Sequence, residues 1–238
     1  MTLGAGVTLH QLGNLLFFHD IGLSIFAVPV TVFGVVIIVN AINFLDSIDG
    51  SAGSMVFIIF GFLAFLAWYA GLLIQWHVLL LLMAALLAYL SFNLRCFGRK
   101  AALIFMGDSG SIFLGFAIVW FSIRLSQGPG PIAATPITFL WLVAIPIYDV
   151  LFVTLRRFKR GQSALKADST HLPHLFEGLG FSVNQTVFRI VFLVFLTGLI
   201  GVLGYFFELP EGVMFLGFFA FFLVYVVVVN WLWKRANL

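Results

Sequence analysis

The stretch Asn40–Ser54, NAINFLDSIDGSAGS, places polar side chains between two long apolar segments, Ile21–Val39 and Met55–Ile74. The polar side chains that stand out are those of Asn40, Asn43, Asp46 and Asp49. A charged side chain at bilayer depth costs about 2.5–3.5 kcal/mol on insertion scales, so such residues usually face a cavity, a partner or water. This stretch is therefore the first candidate for a functional site.

The composition around it is that of an integral membrane protein. Hydrophobic residues make up 63% of the 238 residues and charged residues only 9%, whereas soluble domains carry roughly 25% charged residues. We expect helices, because a lipid-exposed backbone must satisfy its own hydrogen bonds and the apolar runs are too long for barrel strands. The net charge of +3 comes from cations at the ends of these runs, so we expect no nucleic-acid partner.

Seven apolar runs are long enough to cross a membrane, since a helical span needs about 20 residues. They cover residues 21–43, 52–74, 76–95, 103–125, 132–155, 185–207 and 212–233. The first twenty residues are mixed in polarity and predict a loop with a short apolar turn at Leu15–Phe18. We therefore expect an all-α, polytopic transmembrane helix bundle that forms a single domain over residues 1–238.

Lysines and arginines in the short loops indicate the orientation. They gather after the third, fifth and seventh predicted spans, at 95–100, 156–166 and 234–235. Alternation puts these places on one side, which we expect to be cytoplasmic, with the C-terminus inside and the N-terminus outside. An outward N-terminus without a signal peptide suggests that upstream helices are absent from this chain. Six of the nine acidic residues fall on the same predicted side: Asp46, Asp49, Asp108, Asp149, Asp168 and Glu177.

Within the first stretch, the polar residues are spaced by three, so successive members are predicted to be neighbours on a helix. Gly50 and Gly53 would loosen that helix and let a ligand approach the backbone. The alternative interpretation is a solvated helix end, where Asp and Asn are common.

A second polar stretch, Phe105–Ser111 (FMGDSGS), opens the fourth predicted span. Gly107 and Gly110 flank Asp108, and such a turn can present backbone N–H groups to a phosphate at a helix N-terminus. Asp108 can also bind Mg²⁺, which is often shared between carboxylates and substrate phosphates. The alternative is a simple N-cap formed by Asp108.

The longest polar segment is the basic and histidine-containing loop, residues 156–184, expected to be cytoplasmic. Its first residues include the cations Arg156, Arg157, Lys159 and Arg160, which suit a diphosphate ligand or membrane phosphates. The alternative is anchoring by the positive-inside rule. Further along, His171 and His174 fit phosphate binding or proton transfer better than zinc, because a proline separates them and no cysteine is near.

Asp149 follows Pro146 near the end of the fifth predicted span. The proline can kink the helix and free a carbonyl. Two roles for Asp149 stay open: a structural pair with the adjacent arginines, or a contact with substrate. Together these stretches gather carboxylates, Gly-rich turns, cations and histidines at one face, a set that suits phosphoryl transfer.

Three segments resemble those of the polyprenyl-phosphate N-acetylhexosamine-1-phosphate transferases, glycosyltransferase family 4. NAINFLDSIDGSAG resembles the family segment NAxNxxDGxDGLAxG, and FMGDSGSIFLG resembles FxGDxGSxxLG. AIPIYDVLFVTLRRFKRGQS and DSTHLPHLFEGLGFS resemble its P-x-x-D, basic-loop and D-x-x-HxHH elements. The last element is closer to the UDP-GlcNAc:undecaprenyl-phosphate GlcNAc-1-phosphate transferase branch than to the muramoyl-pentapeptide branch. The resemblance runs from about residue 21 to the end, the C-terminal two-thirds of a family chain.

The resemblance implies transfer of a sugar-1-phosphate, GlcNAc-1-phosphate, from UDP-N-acetylhexosamine to undecaprenyl phosphate with release of UMP. The product would initiate a cell-surface polysaccharide such as O antigen, enterobacterial common antigen or a teichoic-acid linkage unit. It further implies Mg²⁺, with Mn²⁺ as an alternative, and a multi-pass place in the bacterial cytoplasmic (inner) membrane with a cytoplasmic active face. A homodimer is compatible with it.

The resemblance also assigns roles to particular residues. Catalytic positions are matched by Asp46, Asp49 and Asp108, of which Asp108 is the one associated with the metal. Substrate positions are matched by Asn43, His171 and His174. From the charge pattern of the loop, and not from the resemblance, we expect Arg156, Arg157 and Arg160 to bind the phosphates of the substrate.

The chain departs from the family pattern at several places. Family members carry an adjacent pair of aspartates, whereas no two aspartates are adjacent in this sequence. Ser47 replaces the first glycine of the DGxDG pattern, and Pro173 replaces the middle histidine of the HxHH element. Family chains also carry three or four further spans at the N-terminus. The alternative function is therefore a truncated, non-catalytic membrane homologue or scaffold. A transporter is disfavoured, because the polar groups cluster at one face and not at the midplane.

Overall fold

The computed structural model describes residues 6–96, 98–159, 161 and 171–236, and over these residues it is built of helices and loops. The helices are α1 (Ala27–Leu45), α2 (Ser51–Tyr69), α3 (Leu73–Asn93), α4 (Gly107–Gln127), α5 (Pro136–Leu142), α6 (Ala144–Lys159), α7 (Leu172–Gly178), α8 (Val183–Phe206) and α9 (Glu211–Arg235). Six of them are long and apolar enough to cross a membrane, and the bent pair α5–α6 is a seventh candidate. The predicted all-α polytopic bundle is confirmed, whereas its orientation in the membrane stays a prediction.

Helix α2 forms the centre of the bundle. It packs against α3, α8 and α4. In an apolar 18-residue segment of α2, 61% is buried inside the bundle, whereas the value for the corresponding segment of α3 is 17%. A helix that is apolar on all sides is suited to such a central place. Helix α3 instead lies at the periphery, with most of its apolar surface outward.

Helices α1 and α4 approach each other closely, which positions the polar residues at their ends. A Cβ added to Gly115 of α4 would lie 2.8 Å from the Cα of Val39 on α1. Small residues at helix crossings allow this approach in membranes. The crossing brings the C-terminal end of α1 beside the N-terminal end of α4, the two places where the sequence carries its first two polar stretches.

The predicted continuous span at 132–155 is wrong in one respect: it is divided into α5 and α6, whose axes differ by 72°. The break falls at Val143, three residues before Pro146. A proline ring clashes with the carbonyl four residues earlier and provides no N–H to bond it. That carbonyl belongs to Leu142, where α5 ends, so the proline accounts for the position of the break.

The predicted N-terminal loop is confirmed for residues 6–20 and continues to residue 23, within the range predicted for the first span. It crosses the end of the bundle opposite to the polar stretches. The backbone N–H groups of His10 and Gln11 donate to Oε1 of Gln127 at 2.6 and 3.1 Å. The N–H of Asn14 donates to Oε2 of Glu211 at 2.8 Å. The loop thus ties the C-terminal end of α4 to the N-terminal end of α9.

Candidate active site

Asn43 joins the first two polar stretches. Its Nδ2 donates to Oδ1 of Asp108 at 3.1 Å and lies 2.9 Å from Oγ of Ser111, which is fully buried. The predicted convergence of these stretches at one end of the bundle is therefore confirmed. Asn43 holds Asp108 in place without neutralising its charge.

The predicted helical stripe of Asn40, Asn43, Asp46 and Asp49 extends only to its second member. Helix α1 ends at Leu45, and Asp46 follows as its C-cap with φ −80° and ψ 38°. The N–H of Asp46 donates to the carbonyls of Ile42 and Asn43, and its carboxylate forms no ion pair with a described residue. Asp46 is thus free to interact with a ligand.

Three carboxylates come together here. Burial, followed by the nearby charges of Asp108 and Asp49, raises the pKa of Asp46 to about 6. Of the three, Asp49 has a cationic partner: Arg95 Nε donates to its Oδ2 at 2.6 Å. The N–H of Ala102 donates to the same oxygen at 3.1 Å. Asp49 therefore fixes the loop after α3, and Arg95, which the sequence pattern indicated only as a topology signal, belongs to the site.

Gly50 makes the turn between α1 and α2 possible. Its φ of +81° is in the left-handed region that favours glycine. Its N–H donates to Oδ1 of Asn93 at 2.8 Å, and Nδ2 of Asn93 donates to the carbonyl of Ile104 at 2.8 Å. Asn93, which sequence reasoning did not single out, therefore connects the turn to the segment that precedes α4.

The N-terminal turn of α4 is open to a ligand. Met106 is the N-cap residue, and its side chain makes no capping hydrogen bond. The interpretation of Asp108 as a simple N-cap is wrong, because Asp108 lies inside the first turn and accepts from Asn43 instead. The first N–H groups of an uncapped helix favour an anion such as phosphate.

A second polar cluster lies around Asp149. Its Oδ2 is 2.6 Å from Nδ1 of His171, and its Oδ1 accepts from the N–H of Leu172 at 2.9 Å. Tyr225 of α9 donates to the same Oδ1 at 3.3 Å. Of the two roles left open for Asp149, the pairing with the adjacent arginines is replaced by this pairing with a histidine, because α7 begins beside the carboxylate.

The two clusters meet through one aromatic contact. The ring of Phe44 stacks on that of His171, with centroids 4.9 Å apart and planes 27° apart. Phe44 follows Asn43 directly in the sequence. His171 therefore lies beside the last turn of α1, and residues separated by more than a hundred positions contribute to one site.

Of the remaining predicted residues, His174, Arg156 and Arg157 lie within the part of the chain that the structure describes. Nδ1 of His174 lies 3.5 Å from Oε2 of Glu177, which is one turn further along α7. The guanidinium of Arg156 lies over Trp233, 4.2 Å from the ring centroid, and Arg157 is buried. Arg160 and Asp168 lie outside the described residues. The substrate roles assigned to these residues stay predictions.

Two apolar grooves flank α1 and α4. One, of about 580 Å³, reaches the site; it is lined by Val35, Val36, Val39, Asn40, Ser109, Ile112, Phe113 and Phe116. The other, of about 350 Å³, lies on the opposite side of α1, between α4, α5 and α6, and extends toward the N-terminal loop. The first groove thus has polar residues at its site end and apolar residues along its length.

Comparison with known proteins agrees with the sequence pattern. The Haemophilus influenzae undecaprenyl-phosphate alpha-N-acetylglucosaminyl 1-phosphate transferase is 34% identical over 154 residues, which cover 64% of this chain and 43% of that relative. The Escherichia coli O157:H7 protein of the same name is 34% identical over 158 residues, or 66% of this chain and 42% of the relative. The matched region thus spans less than half the length of these relatives. The profile described as Glycosyl transferase family 4 matches residues 1–126 of 238. The chain belongs to glycosyl transferase family 4.

Proposed function

We propose that this chain transfers GlcNAc-1-phosphate from UDP-GlcNAc to undecaprenyl phosphate and so initiates a cell-surface polysaccharide. An oxygen of the lipid phosphate attacks the β-phosphorus of the nucleotide-sugar. The bond from that phosphorus to the oxygen bridging the two phosphates breaks, and UMP leaves with this oxygen. The product is undecaprenyl diphospho-GlcNAc. The names of the aligned relatives support this general reaction.

One observation carries the proposal: the polar corner of Asn43 and Asp108 opens directly onto an apolar groove. A lipid-linked phosphate needs such a boundary, with an apolar channel for its tail and polar groups for its head. Asn40 and Ser109 lie where the groove meets the polar corner. The N-terminal turn of α4, uncapped by a side chain, supplies N–H groups at the same place.

The donor set fits a divalent cation. Burial, followed by the nearby charges of Asp108 and Asp49, raises the pKa of Asp46, and of these three carboxylates Asp49 is the one that pairs with Arg95. No group of three His, Cys, Asp or Glu side chains within the described residues is close enough to share one ion. Asp108 and Asp46 would therefore hold Mg²⁺ together with substrate phosphates and water, as is usual for this ion. When bound, the ion would neutralise phosphate charge during transfer.

The second cluster supplies the opposite wall. His171 is fixed beside Phe44 at the end of α1, and the basic end of α6 brings Arg156 and Arg157 near the same end of the bundle. Arginine recognises phosphate through paired hydrogen bonds. We assign this wall to the UDP part of the donor, and we place the site at the cytoplasmic face of the bacterial inner membrane, since the basic loops lie at this end.

The test is release of UMP by the purified full-length chain from UDP-GlcNAc, with undecaprenyl phosphate and Mg²⁺ present. Asp108→Asn should lower the rate about 10²- to 10³-fold, the scale for losing one preorganised electrostatic group. Glu208→Gln is the matched control, because it makes the same acid-to-amide change at an exposed position at the opposite end of the bundle. It should leave the rate unchanged.

Further measurements separate the alternatives. UDP-GalNAc in place of UDP-GlcNAc tests the identity of the sugar, and chelation of Mg²⁺ with Mn²⁺ add-back tests the ion. If the wild-type chain releases no UMP from either donor, and Asp108→Asn behaves in the same way, the result supports a non-catalytic homologue instead.

A further inference from the structure

We propose that Asp149 is a positioning residue that holds the proton of His171 on Nδ1 and leaves Nε2 as the ring nitrogen available to the ligand. For the identity of that ligand, the nucleotide-sugar, the inference rests on the proposed function. For the state of the ring, it rests on the contacts of Asp149 alone.

The contacts define which atoms donate. An ionised carboxylate only accepts hydrogen bonds. Oδ1 of Asp149 accepts from Leu172 N–H and Tyr225 O–H, and Oδ2 lies 2.6 Å from Nδ1 of His171. Because an ionised carboxylate oxygen can only accept, the short contact at Oδ2 requires Nδ1 to carry its proton and donate it to Oδ2. The opposite nitrogen, Nε2, has no hydrogen-bond partner among the described residues.

Burial makes this arrangement specific. The side chains of His171 and Asp149 are only 6% and 2% exposed, so water does not compete freely for either group. Nε2 is not among the fully buried side-chain atoms that lack a hydrogen-bond partner within the described residues, so a ligand or water can reach it. Because Phe44 stacks on the imidazole of His171, that imidazole lies beside the end of α1, next to Asn43. Nε2 therefore belongs to the wall that faces the donor substrate.

A purely structural role for Asp149, as an anchor for Leu172 and α7, is the competing explanation. Asp149→Asn separates the two. The N–H of Leu172 still needs an acceptor, so the amide oxygen stays at the Oδ1 position and the amide NH₂ faces His171. An NH₂ group cannot accept, so Nδ1 must become the acceptor and the proton must move to Nε2. The anchor is kept while the tautomer is reversed.

The first experiment measures the ring directly, by ¹⁵N NMR of the full-length chain labelled at histidine, with the His171 signals identified by their loss in His171→Asn. In the wild type, Nδ1 should resonate as a protonated nitrogen. In Asp149→Asn, Nδ1 should resonate as an unprotonated nitrogen, and in the control Tyr225→Phe, which removes only a contact to Oδ1, the wild-type pattern should persist. An unprotonated Nδ1 in the wild type would overturn the proposal.

The second experiment measures UMP release. Asp149→Asn should lower kcat/KM for UDP-GlcNAc about 10- to 100-fold, the range for losing a carboxylate that orients a histidine, and Tyr225→Phe should lower it less. A reversed tautomer with unchanged kinetics would show that Nε2 does not serve the substrate, and overturn that part. If the wild type itself is inactive, the proposed function fails, while the NMR measurement still decides what Asp149 does to His171.

Discussion

Arg95 and Asp49 form an ion pair, with Nε of the arginine 2.6 Å from Oδ2 of the aspartate, between the loop after α3 and the turn before α2. The side chain of Asp49 is only 10% exposed, whereas that of Arg95 is 33% exposed. The pair therefore distinguishes Asp49, which has a cationic partner, from Asp46 and Asp108, which we propose as the carboxylates that meet ligands.

Removing Arg95 should destabilise the fold. Arg95→Ala leaves Asp49 with the N–H of Ala102 and no cation, and we expect a loss of about 1–3 kcal/mol, the cost of an unsatisfied buried polar group. Arg95→Ala combined with Asp49→Asn should recover part of that loss, because the amide carries no charge. The free energy of unfolding is measured in one detergent for the wild type, Arg95→Ala, Asp49→Asn and the double variant. Together these four values give the coupling energy between Arg95 and Asp49. Additive losses would show that the pair contributes nothing.

The raised pKa of Asp46 predicts a pH-dependent stability. Burial and the nearby carboxylates raise the pKa of Asp46 to about 6, from an ordinary value of 3.8, so the folded state binds the proton more tightly than the unfolded state. Stability therefore falls as the pH rises from about 4 to 6, and the ionised carboxylate destabilises the fold above that window. Asp46→Asn should raise the Tm in metal-free buffer at pH 8 and change it much less at pH 4.

Asp108→Asn provides the check on that explanation. Removing the charge of Asp108 takes away one cause of the shift, so the window in which wild-type stability declines should move to lower pH. An equal gain from Asp46→Asn at pH 4 and pH 8 would contradict the assignment.

Gly50→Ala should destabilise the turn that presents Asp46 and Asp49. A non-glycine residue at a φ of +81° costs about 1–3 kcal/mol, and the added Cβ would also collide with the side chain of Leu94. Gly34→Ala is the matched control, since its surroundings are open and its backbone is helical. Thermal unfolding should show a loss for the first variant and none for the second.

Narrowing the groove that reaches the site should impair the use of the lipid. Val36→Trp fills the space that we assign to the undecaprenyl tail, and it should raise KM for undecaprenyl phosphate about tenfold or more. KM for UDP-GlcNAc should stay the same. Leu81→Trp places the same ring on the exposed surface of α3 and should change neither constant. A rise in both constants for Val36→Trp would indicate general damage to the site.

Much of the fold follows from the apolar runs, because a bilayer leaves few alternatives to a helix for an uninterrupted segment of this length. Helix ends differ from the predicted ones by a few residues, since caps and turns decide them. The break at Val143 was not predicted, although Pro146 was recognised as a source of a kink. A proline acts on the carbonyl four residues before it, so the helix ended earlier than the residue that caused the break.

The site was predictable where topology alone decided it. Alternation of spans was enough to put Asn43 and Asp108 at the same end of the bundle, while their hydrogen bond depends on the close crossing of α1 and α4. The partners of the other carboxylates depend on how loops fold over the bundle, which hydrophobic periodicity does not describe. The sequence placed arginines next to Asp149, yet the structure gives it His171, and it gives Asp49 an arginine from a different loop.

The pairing of Asp149 with His171 also has a consequence for biosynthesis. The two residues are 22 positions apart, and the chain is made from its N-terminus, so the aspartate leaves the ribosome before its partner. Until residue 171 follows, α6 carries a carboxylate without the histidine that later covers it. The contact of His171 with Asp149 therefore cannot form before residue 171 has been made, so the second wall of the site is completed only after α6 has been synthesised.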